Sequence, residues 1–236
     1  MATIEQLKVL FADGYDSGNV LSRLPNRRRR REERLIGGSY RRLFLNEVRP
    51  YLEDSSTVLE LGPGRGSWTR ALLRSAPRGR VHTVDFHDVT QWLDVDDYDG
   101  RLVCHRVEDN SFASVPDETF DLFFSFGALC HNTTSAIAEI MANSLPKMRP
   151  GALAVHQYGD WQKLRALGWH DDRHGVHAWN QRIPDEHEWN HWPRNDPETM
   201  AAVCRDAGWI VEEADLGVFR RDSVIRLRAP AARARP

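Results

Sequence analysis

The chain is predicted to fold as an α/β domain: a doubly wound, mainly parallel seven-stranded sheet, with an antiparallel hairpin at its C-terminal edge and helices ahead of its first strand. Three observations carry this prediction. Short apolar runs alternate with amphipathic helical stretches from Thr57 onward, a glycine-rich turn follows the first run, and the last two runs are joined by a short turn instead of a helix. With 236 residues there is room for one substantial domain with additions, and two would be cramped.

Residues 1–52 read as a polar helical extension. IEQLKVLF is a short amphipathic piece, GYDSGN breaks it, and GGSYRRLFLNEVRPYL sets Leu43, Phe44, Val48 and Leu52 at helical spacing. Between them NRRRRREER is a charge run, Arg27–Arg31 at its centre, which reads either as a solvated helix face or as a contact for an anionic partner. The domain proper is expected over 53–236. Its strands are TVLEL (57–61), RVHTVD (80–85), RLVCHRV (101–107), FDLFFSF (120–126) and ALAVHQY (152–158), closed by GWIVEEADL and VFRRDSVIRLRA; its helices are SWTRALLRSA, SAIAEIMANSLPKM and PETMAAVCRDAG. An insertion at 160–192 holds five of the eight Trp and five of the ten His, a composition suited to a substrate wall where loops leave a sheet.

Composition narrows the function classes. The formal charge of −2 hides eleven Lys/Arg against six Asp/Glu in residues 1–50, so the remainder is acidic, which argues against a nucleic-acid protein with a global basic field. Cys104, Cys130 and Cys204 are far apart and make neither a C-x-x-C pair nor a disulfide framework, so a reducing cytoplasm is expected. No stretch reaches the roughly 18 consecutive apolar residues of a membrane span.

The chemistry gathers at ELGPGRG, residues 60–66. Glycine after a strand permits the sharp turn, and further glycines let a ligand approach the helix N-terminus. A dinucleotide fingerprint wants G-x-G-x-x-G and hence glycine at 67, where Ser67 stands. Glu60 beside the turn would also repel a pyrophosphate and favour an ammonium group. Here the sequence resembles the class I S-adenosylmethionine-dependent methyltransferases, whose motif is E/D-x-G-x-G-x-G; Glu60, Gly62, Gly64 and Gly66 match it position for position. The resemblance covers residues 57 to about 158 and the closing hairpin, and implies a Rossmann-like sheet with an N-terminal helical lid over S-adenosylmethionine. By the same resemblance Asp85 binds both ribose hydroxyls, with Phe86 beside it; Asp109 faces the adenine amine, with Asn110 next to it; and Pro63 and Ser125 complete the pocket. Tyr40 either contacts the methionine part from the lid or packs on the core.

For the acceptor, SFGALCHN (125–132) stands where base-methylating relatives of that family carry Asn/Asp-Pro-Pro-Tyr, and the arginine run lacks interleaved aromatics, so no nucleic acid is expected. His131 ends the fourth-strand segment near the expected methyl position and is the first general-base candidate; His156 and Asp160 flank the fifth strand's end and are the others. Trp faces with His, Asp and Asn in 160–192 suit a polyhydroxylated ligand, and ELGPGRGSWTRAL, FSFGALCH and AVHQYGDW resemble bacterial sugar O-methyltransferases. The expected acceptor is thus a small molecule or oligosaccharide, methylated on oxygen, with N- or C-methylation or cofactor binding without transfer as alternatives. His170 with His174 and His187 with His191 have helix-face spacing for a metal, but Gly175, Pro184 and Pro193 interrupt it; Mg2+ as a helper and a homodimer are left open, and no spacing specifies metal ligands.

Overall fold

The computed structural model describes residues 8–9, 11–117, 119–167 and 195–231. Its strands are β1 (Thr57–Leu61), β2 (Arg80–Asp85), β3 (Leu102–Arg106), β4 (Phe120–Ser125), β5 (Met148–Gly159), β6 (Ile210–Glu213) and β7 (Asp222–Arg228). They form one sheet in the order β3-β2-β1-β4-β5-β7-β6, parallel from β3 to β5, with β7 antiparallel to both β5 and β6. The doubly wound sheet with an antiparallel C-terminal edge is the one the sequence predicts. Chain order reverses between β1 and β4, which leaves a crevice at the carboxyl ends of those strands.

β5 begins four residues before the apolar run ALAVHQY. Met148 already pairs with Phe120, and an irregularity before Leu122 and Leu153 restores the register. Its far end runs to Gly159 and is covered by β7 through His156↔Ile225 and Gly159↔Asp222. His156 is thus the last residue of β5 flanked on both sides, by Ser125 of β4 and Ile225 of β7, and the three residues after it pair with β7 alone.

Helices cover both faces. On one lie α1 (Arg27–Ile36), α2 (Tyr40–Leu43) and α3 (Ser67–Ser75), burying Ile36, Tyr40, Leu43, Ala71 and Leu72 against Val58, Leu122, Phe124 and Val155. After α2 the chain widens into a π-turn over Phe44–Val48 and tightens into a 3₁₀ turn over Arg49–Tyr51, where Pro50 stops the helix. Leu43, Phe44, Val48 and Leu52 are all buried, as their spacing predicts. The extension thus shares a core with the sheet. On the other face α4 (Thr134–Ser144) and α6 (Pro197–Asp206) bury Ile137, Ile140, Met141, Met200 and Cys204 against Leu59, Val84, Phe123 and Ala154. Of the Trp/His-rich stretch, Trp161–Ala166 form a short helix, α5, and residues 168–192 lie outside the described residues.

The arginine run divides. Arg29 is buried: its guanidinium bonds the Asn19 and Ser22 carbonyls at 2.6 and 3.0 Å and Glu33 Oε1 at 2.9 and 3.0 Å. Arg27, Arg28, Arg30 and Arg31 are exposed.

Candidate functional site

β1 ends in a left-handed turn. Gly62 and Gly64 hold φ of +68° and +52°, and the Gly62 N–H donates to the Val84 carbonyl at 2.9 Å, tying the turn to β2. What crosses Gly64 is the chain itself: a Cβ there would run into the carbonyl oxygen of Tyr15. That carbonyl accepts from the Arg65 N–H at 2.8 Å. Residues 11–18 form a strap over the turn, pinned by Arg65 Nε to the Asp13 carbonyl (2.7 Å), Ser67 Oγ to Asp16 (2.8 Å) and Trp68 Nε1 to Ser17 Oγ (3.1 Å). The pattern leads one to expect a ligand against this glycine; what Gly64 admits is the chain's own backbone at Tyr15.

Strap and strand ends enclose a cleft of about 830 Å³, counting the open space at its mouth. Size and place suit a small-molecule site at a switch point. Gly62, Gly64, Gly127 and Ala128 floor one end, and Phe11, Tyr15, His131 and Asn132 close over it. Phe86, Val107, Phe112 and Ile140 make an apolar slot at the other end, flanked by Asp85, His87, Trp92, Asp109 and Asn110.

Asp85 finishes β2 and accepts from the His87 N–H at 2.8 Å. Burial pushes its carboxyl pKa up, against the pull of that bond. A hydroxyl pair donating to it would relieve the cost of the buried charge. Asp109, exposed, is held low by hydrogen bonds from Ser111, and Asn110 bonds Glu139 at 2.9 Å. His131 lies in the one-turn helix after β4, its ring 4.7 Å from Phe11, centroid to centroid. Of the residues singled out in the sequence, Gly62, Gly64, Asp85, Phe86, Asp109, Asn110 and His131 line this cleft.

Seven others do not. Tyr40 is buried at 2% exposure among Trp68, Phe126 and Phe219, its hydroxyl 3.1 Å from Tyr15's, so it packs on the core behind the strap. Glu60 points under α3, accepting from Thr69 Oγ1 at 2.6 Å; burial, with Asp85's charge adding to it, raises its pKa to about 8. Pro63 is buried and its carbonyl caps the turn at the Gly66 N–H, and Gly66 gives space to Leu93. Ser125 and His156 pair across β4 and β5 at 2.8 Å, fully buried, and burial drives the imidazole pKa down to about 3. Asp160 caps α5 through the Gln162 and Lys163 N–H groups and accepts from Ser223 Oγ at 2.6 Å. His156 and Asp160, expected as base candidates at the mouth, are therefore both buried away from the cleft, His156 by packing between β4 and β7 and Asp160 by holding the start of α5 and the Ser223 hydroxyl.

The sequence reading missed Phe11, Tyr15, His87, Trp92 and Asn132. His87 was open to discovery, two residues beyond Asp85; its Nε2 is buried with no hydrogen-bond partner among the described residues. Also among the described residues, no group of three or more His, Cys, Asp or Glu is placed to hold a metal. His170, His174, His187 and His191 lie outside them.

A family model described as a methyltransferase domain matches residues 26–214. The chain belongs to that methyltransferase family. No curated protein matches it. Among solved structures, this methyltransferase is similar to the S-adenosylmethionine-dependent methyltransferase SibL in its apo form, at 16% identity and TM-score 0.59, covering 86% of this chain and 57% of that one. A SAM-dependent methyltransferase from Aquifex aeolicus is matched at 16% identity and TM-score 0.55, over 85% and 97% of the two chains. Mitomycin 7-O-methyltransferase MmcR gives 15% and 0.55, over 77% and 52%. The chain spans little more than half the length of SibL and MmcR, and at these identities the likeness establishes the fold. That fold implies S-adenosylmethionine as cofactor, and the cleft fits it: a half-buried carboxylate for a diol, apolar side chains for a purine and a glycine turn for the amino acid.

Proposed function

We propose that this methyltransferase methylates a hydroxyl of a small polyhydroxylated acceptor, a sugar or short glycan. The observation that carries the reading is His131: of the three base candidates it alone lines the cleft. When bound, S-adenosylmethionine supplies a methyl group activated on sulfur. The chain's residues do the rest. Asp85 receives the ribose hydroxyls, Asp109 and Asn110 border the purine, and Phe86, Val107, Phe112 and Ile140 desolvate it. Phe11 and Trp92 exclude water, and His131 accepts the proton that the acceptor hydroxyl gives up as its oxygen bonds to carbon. A sugar acceptor is supported by the Trp- and His-rich composition of 160–192, and attack by oxygen by the likeness to MmcR.

The test is transfer of labelled methyl from S-adenosylmethionine to a panel of sugars, oligosaccharides and amines, with magnesium and with chelator. Label is expected on a sugar, with His131→Ala lowering kcat by about 10²-fold or more. Label on amines alone, no transfer despite cofactor binding, or undiminished turnover in His131→Ala would overturn the reading.

A further inference from the structure

Helix α1 segregates its charges. At about 3.6 residues per turn, Arg27, Arg30, Arg31, Arg34 and Leu35 share the outward arc, and all five are exposed. Both acids turn the other way: Glu33 binds Arg29 and the Tyr40 N–H, and the charge of Glu32 acts on Tyr15 and Tyr40. No outward arginine has an acidic group within ion-pair distance among the described residues. The first turn carries no acid, although a helix N-terminus favours acids there and is destabilised by cations. Such an arrangement lowers the stability of the free helix and concentrates positive charge on one face.

The patch is also greasy. Leu24, two residues before the N-cap Asn26, is 86% exposed, and Leu35, at the far end of the outward arc, is 41% exposed. Two exposed leucines beside four arginines without acidic partners among the described residues give the patch an apolar component as well as charge, and the arc has no aromatic on which the bases of a single strand could stack. Exposed aliphatic side chains framing a cluster of cations match a bilayer with anionic headgroups: the arginines meet phosphate and the leucines enter the acyl boundary.

We infer that the outward face of α1 docks on an anionic phospholipid surface. The cleft would then stand beside the bilayer, since the Arg28 guanidinium lies 5.9 Å from the ring of cleft-lining Tyr15. The inference does not depend on which acceptor is methylated.

Vesicle flotation of the full chain tests it, with phosphatidylcholine alone and with phosphatidylcholine and phosphatidylglycerol in a two to one ratio, at low and high salt. Binding is expected only to the anionic vesicles and should weaken with salt. Each arginine contributes roughly fivefold in partitioning, so the quadruple variant with Arg27, Arg30, Arg31 and Arg34 changed to Gln should lose on the order of hundreds-fold. Leu24→Ser, which leaves charge intact, should lose severalfold; circular dichroism and unchanged binding of S-adenosylhomocysteine show that each variant is folded. Equal floating with neutral vesicles, no floating with anionic ones, retention by the folded quadruple variant, or full binding by Leu24→Ser would overturn the proposal. So would tighter binding of a short RNA or DNA duplex than of anionic vesicles at the same salt.

Discussion

The imidazole of His156 is walled by Phe123 at 4.4 Å, bonded once to Ser125 and closed off from water, so it folds neutral. Its pKa falls from about 6.5 unfolded to about 3 folded. The unfolded chain binds the extra proton between those values, so this group's contribution to stability is complete above about pH 6.5 and is lost as pH falls toward 3. The unfolding free energy from urea titrations between pH 7 and pH 4 should therefore fall less steeply in His156→Gln than in the parent, by up to about 1.4 kcal/mol per pH unit; parallel slopes would show that another group carries the acid sensitivity. The error over His156 had a physical source. ALAVHQY put His156 and Asp160 near a strand end and so at a loop mouth, whereas His156 is flanked by Ser125 and Ile225 and both residues are buried by long-range packing that no local pattern shows. Asp160 was readable another way, as an acidic N-cap directly before WQKL. Nothing local distinguishes Arg29 from its neighbours: Arg28 also has an acid one turn on, Glu32, and only the fold shows that Arg29 is the one turned inward to Glu33.

Among elements, the strap and the glycine turn form a unit that the motif shows only in part. The spacing of Gly62, Gly64 and Gly66 made the turn legible, because positive φ is a local demand on sequence. Which backbone Gly64 admits was not legible, since the contact joins residues 15 and 64 with no side-chain pattern to announce it. Gly64→Ala should unseat the strap, because its Cβ meets the Tyr15 carbonyl and φ is unfavourable as well. The expected outcome is faster tryptic cleavage at Arg23 and affinity for S-adenosylhomocysteine reduced about tenfold or more, since the cleft loses the wall made by Phe11 and Tyr15. Unchanged proteolysis and affinity would mean that the strap does not depend on this contact.

For the whole molecule, the sheet was the most legible feature. β1 and β2 have the predicted bounds because an interior parallel strand is apolar along its length and stops where glycine or acid begins. The strand order, which the pattern does not announce, delivers Asp85 and the glycine turn to the same crevice. The acceptor side was less legible: composition can say that 160–192 is aromatic and polar, but a long insertion without periodicity does not say where its side chains converge. The central claim is that this crevice holds S-adenosylmethionine with Asp85 on the ribose. Calorimetry with S-adenosylhomocysteine and NAD, on the parent chain and on Asp85→Ala, tests it most directly. The parent is expected to bind S-adenosylhomocysteine in preference to NAD, and the folded variant to bind it about tenfold or more weakly, as loss of charged hydrogen bonds implies. Tighter binding of NAD, or undiminished affinity for S-adenosylhomocysteine in Asp85→Ala, would contradict it.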